Sequence, residues 1–226
     1  MHPLLGETCD LCGERLPGLR RLAEIQTCTP CQESQPSFAK ATAYGAYDGE
    51  LRGLIHLLKY ERVLPAAGVL GKMQAEGIQK LDMGHERVLV VPVPLHVSKR
   101  REREFNQSEL IARAALRHLR NDRLELAPRV LARVRPTASQ IGLTRAQRRQ
   151  NIRGAFQVLH PTKVAGRSIL LVDDVLTTGT TASECARVLL KSGAKIVWVA
   201  TVARTLKENN SILRAQRELE SAAQAS

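Results

Sequence analysis

A solid apolar run, Ile169-Leu170-Leu171-Val172, leads straight into two adjacent carboxylates, Asp173-Asp174, and then into Val175-Leu176-Thr177-Thr178-Gly179-Thr180-Thr181. Few folds accommodate this order. A strand without polar alternation is buried on both faces, as in a parallel α/β sheet. Its two carboxylates then fall at the carboxyl edge of the sheet, where open α/β sheets bind ligands. The hydroxyl-rich turn opens a helix expected from about Thr180 to Ser192, with Gly193 as its cap. Backbone N–H groups and threonine hydroxyls at such a helix start form a phosphate cradle. The P-loop lysine is absent, as are the three spaced glycines of a dinucleotide fingerprint. Acids beside a phosphate cradle suit a ligand with both sugar hydroxyls and a phosphate.

The rest of the chain supplies partners for that strand. Val88-Leu89-Val90-Val91 is a second β-branched run, stopped by Pro92 and Pro94. Ala194–Val202 reads as a third strand, and Ala41–Tyr47 as a strand ending in an Asp48-Gly49 turn. Leu51, Leu54, Ile55 and Leu58 recur at helical spacing, and residues 67–81 carry another helical pattern. Asn106-Gln107-Ser108-Glu109 offers a helix cap, with Leu110, Ile111, Ala114 and Ala115 continuing the helix. Leu126–Val134 is expected to be a strand, while residues 135–153 are basic and polar without a clear period. Strands alternating with helices predict an α/β fold, a parallel sheet flanked by helices.

Charge is unevenly spread. Residues 99–153 hold 15 bases against 5 acids, so this segment carries +10 of the net +12. Concentrated positive charge attracts polyanions, either phosphorylated small molecules or nucleic acid. Aromatic residues make up only 3% of the chain, which weighs against a single-strand binder built on base stacking. No apolar run approaches the ~18–20 residues of a bilayer span. The opening MHPLLGETCD lacks a cationic stretch followed by an apolar one, so a cytoplasmic protein without membrane insertion is expected.

Four of the five cysteines form two CxxC pairs, Cys9/Cys12 and Cys28/Cys31, with fifteen residues between the pairs. Two such knuckles suit tetrahedral Zn²⁺, each pair wrapping one side of the metal. Two disulfides, disfavoured in a reducing compartment, and an unmetallated redox pair are the competing readings. Four thiolates would fill the zinc shell, which makes the role structural. Cys185 reads as a small core residue. Residues 1–36 are thus expected to be a metal-stapled module, 37–206 an α/β domain with its own core, and 207–226 a polar tail.

Residues 169–181 resemble the phosphoribosyl pyrophosphate (PRPP) signature of type I phosphoribosyltransferases. Further blocks resemble the ComF family: Ala46-Tyr47-Asp48-Gly49 through Leu54-Ile55-His56-Leu57-Leu58-Lys59-Tyr60, and Val91-Pro92-Val93-Pro94-Leu95 with Arg103 and Phe105-Asn106-Gln107. Thr137, Gln140, Leu143, Arg148, Arg149, Asn151 and Phe156 match another, and the cysteine pairs match a zinc ribbon. The resemblance implies a type I phosphoribosyltransferase fold preceded by a small four-cysteine zinc ribbon. It assigns Asp173 and Asp174 to the ribose hydroxyls, and Thr177, Thr178, Gly179, Thr180 and Thr181 to the 5′-phosphate. Mg²⁺ would accompany PRPP with few protein ligands. Lys99, Arg100, Arg101 and Arg103 are candidates for the pyrophosphate, and Arg148 and Arg149 for a closing lid. Lys59 is either an inward anion ligand or a solvated helix-end lysine.

The sequence departs from the family at one point. Where the family's loop has glycine, this chain has Glu104. If that position needs a positive φ or lets the backbone approach an anion, Glu104 must strain or reroute the loop, and its carboxylate opposes the surrounding positive charge. The resemblance implies a PRPP-binding protein assisting DNA uptake or processing in natural competence, with single-stranded DNA and DNA-processing proteins as candidate partners. An active phosphoribosyltransferase on a base or amine, and a non-catalytic PRPP-responsive binding module, are the alternatives. Arg113, Arg117 and Arg120 are expected to face outward, since Leu110, Ile111 and Ala114 take the core side of the same helix.

Overall fold

The computed structural model describes residues 7–16, 26–137 and 144–206. Gln140, Leu143 and the 207–226 tail lie outside the described residues. In chain order the elements are α1 (Thr29–Glu33), β1 (Lys40–Ala46), α2 (Gly49–Tyr60), α3 (Ala66–Ile78), β2 (Val88–Pro92), α4 (Val97–Arg103), α5 (Gln107–Leu119) and β3 (Leu124–Leu126). There follow β4 (Leu131–Arg133), α6 (Arg145–Ile152), β5 (Phe156–Val158), α7 (Pro161–Val164), β6 (Ser168–Leu176), α8 (Thr180–Lys191) and β7 (Ile196–Arg204).

Five strands form one parallel sheet in the order β1-β7-β6-β2-β3. The solid apolar run sits at its centre: Ile169, Leu170, Leu171 and Val172 are fully buried. Alternation of side chains splits the core into two layers. Ile169 and Leu171 pack with α8, the β4–β5 pair and the cysteine knuckle, whereas Leu170 and Val172 pack with α3 and α5. The helices α3 and α5 meet at Gly71, where a Cβ would lie 2.3 Å from that of Ala114 and 2.8 Å from the Ala115 nitrogen. No larger residue fits without parting the helices.

Two segments differ from the sequence expectation. Leu126–Val134 is not one strand: β3 extends the main sheet, the chain turns at Pro128, and β4 pairs antiparallel with β5 outside that sheet. Proline has no N–H to donate and ends the ladder there. Residues 145–152, without apolar period, form α6. A capping box holds its start, Thr144 accepting from the Gln147 N–H and Gln147 from the Thr144 N–H. Ile152 buries one end, so cap chemistry rather than amphipathicity specifies this helix.

Candidate functional site

Both aspartates lie inside β6, which runs on to Leu176, rather than just beyond its end. Asp174 is buried and its Oδ2 forms an ion pair with Lys59 Nζ, delivered by the last turn of α2. Its Oδ1 accepts from the Val175 N–H at 2.8 Å. Asp173 Oδ1 accepts from Ser108 Oγ at 2.7 Å and from the Asp174 N–H at 2.9 Å. Burial, followed by the neighbouring Asp174 charge, pushes the Asp173 carboxyl up to about 7. Burial alone would lower the Lys59 ammonium, but the Asp174 carboxylate outweighs it and holds it above its ordinary value. Lys59 is thus turned inward onto Asp174 rather than solvated at the helix end.

The loop after β6 turns at Gly179, whose φ of +76° is left-handed, before α8 begins at Thr180. Glycine adopts that conformation without steric cost. Thr178 Oγ1 and Thr180 Oγ1 lie 2.9 Å apart across the turn, and Thr177 is exposed. The first N–H groups of α8 have no acceptor within their own helix. A cleft of about 630 Å³ opens beside this loop, walled by Thr178–Thr180, Phe38, Arg149 and Arg153.

The basic candidates divide. Lys99, Arg100 and Arg101 lie exposed on α4, and Lys99 pairs with Glu102 at 2.7 Å. Arg103 is half-buried: Nη1 donates to Gln107 Oε1 at 2.6 Å, and its guanidinium lies 5.6 Å from the centroid of the Tyr60 ring. Arg148 and Arg149 stand on α6, Arg149 in the wall of the cleft. Arg113, Arg117 and Arg120 are exposed, and Arg113 pairs with Glu109 at 2.7 Å. Glu104 caps α4 with φ +72°, the conformation glycine would take freely. Its Oε1 accepts from Arg62 Nη1 at 2.8 Å, and Arg62, also left-handed at φ +56°, donates to the Glu102 carbonyl at 2.9 Å.

The four knuckle cysteines converge. All are buried and free of disulfides, and their Sγ atoms lie within 4.8 Å of one another. Tetrahedral Zn–S bonds of ~2.3 Å put neighbouring sulfurs ~3.8 Å apart, and Cys12 and Cys28 are 3.5 Å apart. The donor set therefore fits a structural metal such as zinc. Crowded thiols cannot all ionise without a cation. The hydrogen bond from Cys12 pulls Cys9 down to about 4, that same contact raises Cys12, and burial pushes Cys31 up to about 12. The cysteines share one apolar cluster with Phe38, Ile169, Leu171 and α8, so the knuckle is packed onto the sheet.

Ser108, Gln74, Tyr47 and His56 make contacts at the site without a role assigned to them from the sequence. Ser108, fully buried, holds Asp173; the cap at Asn106 announced the helix start but not where its second residue would point. Gln74, on the buried face of α3, donates to the Asp173 and Ala200 carbonyls at 3.0 and 3.2 Å. Tyr47 Oη lies 3.0 Å from His56 Nε2, and His56 packs edge-on against Tyr60, 5.1 Å between centroids. The available clues were a polar residue on an apolar helix face, at Gln74, and the family block that contains Tyr47 and His56.

A phosphoribosyl transferase domain model matches residues 110–219. The chain is 32% identical over 188 residues to DNA utilization protein YhgH of Escherichia coli (strain K12), covering 79% of this chain and 78% of that protein. It is 30% identical over 200 residues to Competence protein F of Haemophilus influenzae, covering 87% and 84%. Among solved structures, the allosteric regulatory enzyme of purine biosynthesis aligns at 24% identity with a TM-score of 0.38, over 62% of this chain and 26% of that one. With a parallel sheet flanked by helices and four clustered cysteines besides, the chain belongs to the ComF family of phosphoribosyltransferase-domain proteins, alongside Competence protein F and DNA utilization protein YhgH.

Proposed function

We propose that this chain binds PRPP with Mg²⁺ over the carboxyl edge of β6 and serves, in the cytoplasm, in the uptake or utilisation of DNA. The observation that carries the reading is the buried acid pair, pinned by Lys59 and Ser108, immediately before a hydroxyl-lined loop at a helix start. Asp173 and Asp174 accept from the ribose hydroxyls, and Thr177–Thr181 cradle the 5′-phosphate through backbone N–H and hydroxyl donors. Mg²⁺ would supply charge neutralisation at the pyrophosphate with few ligands from the chain, in keeping with an Asp174 oxygen already occupied by Lys59. Arg103, held by Gln107 and Tyr60, meets the pyrophosphate with Lys99, Arg100 and Arg101 nearby, and Arg148 and Arg149 approach from α6. Glu104 subtracts from that positive field. Zn²⁺ fills the cysteine knuckle. No described helix is long and apolar enough to cross a membrane. The role in DNA uptake, with single-stranded DNA and DNA-processing proteins as partners, rests on the names of the relatives.

A second reading is phosphoribosyl transfer to a base or amine, with Asp173, oriented by Ser108 and its carboxyl raised by burial and the Asp174 charge, as the candidate general base. One experiment tests both. PRPP and Mg²⁺ are titrated by calorimetry, then incubated with a panel of bases and amines while pyrophosphate release is followed. Binding with turnover on one acceptor establishes the enzyme, binding without turnover leaves the non-catalytic module, and no heat of binding removes both.

A further inference from the structure

Arg204 is the largest of the fully buried side chains and closes β7 on the knuckle side of the sheet. Its Nη2 donates to Glu14 Oε2 at 3.0 Å and to Cys12 Sγ at 3.4 Å. Among the described residues its Nε and Nη1 have no acceptor. Burying a guanidinium costs several kcal/mol unless negative charge is nearby. Glu14 supplies one charge. A neutral thiol is a weak acceptor and would supply almost nothing more, whereas a metal-bound cysteine is a thiolate. Four thiolates around a divalent cation carry a formal charge of −2, and with buried Glu14 the region is strongly negative. Arg204 is the buried cation that reaches it.

We propose that Arg204 is the outer-sphere partner of the metal–thiolate centre: it hydrogen-bonds the Cys12 sulfur and offsets the centre's charge. It also ties the centre to the site edge, because Arg204 is registered opposite Leu176, the last residue of β6 before the phosphate loop. The Thr205 N–H donates to the Leu176 carbonyl at 3.0 Å, and the Arg204 carbonyl accepts from the Tyr47 N–H at 2.7 Å. The metal thereby clamps, through one side chain, the strand ends from which the loop departs.

This inference rests on the reading of the knuckle as a zinc site, and the test separates the two. Zinc content of the purified wild-type chain comes first, and an absence of zinc there overturns the underlying reading. Zinc affinity is then measured by competition with a chromophoric chelator for wild type, Arg204→Met and Glu14→Gln. Loss of an outer-sphere partner weakens metal binding 10–100-fold, which is the expected result for Arg204→Met. Glu14→Gln keeps the shape, removes a negative charge, and should hold zinc at least as tightly as wild type. In the Co²⁺-substituted protein the thiolate-to-metal charge-transfer band should move to lower energy in Arg204→Met, because a sulfur that loses a hydrogen bond is easier to oxidise. A folded Arg204→Met with wild-type affinity and an unmoved band overturns the assignment. Should Arg204→Met not fold, Glu14→Gln decides: weaker zinc binding there means the pair acts as packing, not as charge compensation.

Discussion

The acid-pair edge and the cysteine knuckle are both buried, polar and close to the same sheet, yet they are organised in opposite ways. At the acid pair every charge has a partner within the chain: Lys59 for Asp174, and Ser108 with a backbone N–H for Asp173. The strand beneath is anchored by apolar residues on both faces, so the site is built before any ligand arrives. At the knuckle, four thiols crowd within 4.8 Å of one another, and among the described residues Arg204 is the cation at their border. Such a cluster reaches low energy only with a metal to share. The acid pair is held in place by the fold alone, whereas the cysteine cluster is a donor set that a metal would complete.

That contrast is broken most directly at the knuckle. Cys12→Ser, or removal of metal by a strong chelator, should lower the melting temperature of the whole chain by roughly 10 °C or more, at ~2–4 °C per kcal/mol for a protein of this size. Because the cysteines share a core with α8 and β6, a single shifted transition in calorimetry is the expected trace. An unshifted main transition would show the two regions to be independent. At the other site the fold should survive while binding weakens. Asp174→Asn loses charge-assisted hydrogen bonds worth ~1.5–3 kcal/mol, about ten- to a hundredfold in PRPP affinity, while the exposed Asp122→Asn changes nothing. Equal affinities by calorimetry for Asp174→Asn and wild type would sink the preorganised-edge account.

Smaller effects sharpen it. Asp173 titrates at about 7 in the folded chain against 3.8 for an ordinary aspartate. Between these values the folded chain holds a proton that the unfolded chain has released, so stability falls as pH rises through this window. Denaturation midpoints at pH 5 and pH 8 measure the slope, and Asp173→Asn should flatten it. Glu104→Gly removes left-handed strain of ~1 kcal/mol but also an exposed ion pair worth ~0–1 kcal/mol and adds chain entropy to the unfolded state. Net stability should change by less than ~1 kcal/mol while PRPP affinity rises a few fold, as a carboxylate leaves the basic loop. Last, the triple alanine at Arg113, Arg117 and Arg120 should leave PRPP affinity unchanged. If that face carries single-stranded DNA, the salt dependence flattens by ~0.7 per lost phosphate contact, and an unchanged slope takes this helix out of any DNA track.

The central strand, the acid pair with its threonine loop, α8 with its Gly193 end, and the pairing of the cysteines were all readable from residue order, because each is a local pattern with one economical conformation. Glu104 at a family glycine position left strain or a rerouted loop open, and its φ of +72° shows that the left-handed turn is kept. The capping box at Thr144 and Gln147 was equally local and marks α6 where apolar periodicity marks nothing. What tertiary structure alone decided were the partnerships across the chain. Lys59 meets Asp174 across 115 residues, Ser108 meets Asp173 across 65, and Arg204 meets Cys12 across 192. Periodicity states which face of an element is apolar, but a polar contact depends on where two elements cross, and crossing is set by the packing of entire faces. The sequence by itself thus determined which polar groups gather at the sheet edge and in the knuckle, and the fold decided which neighbours hold them in place.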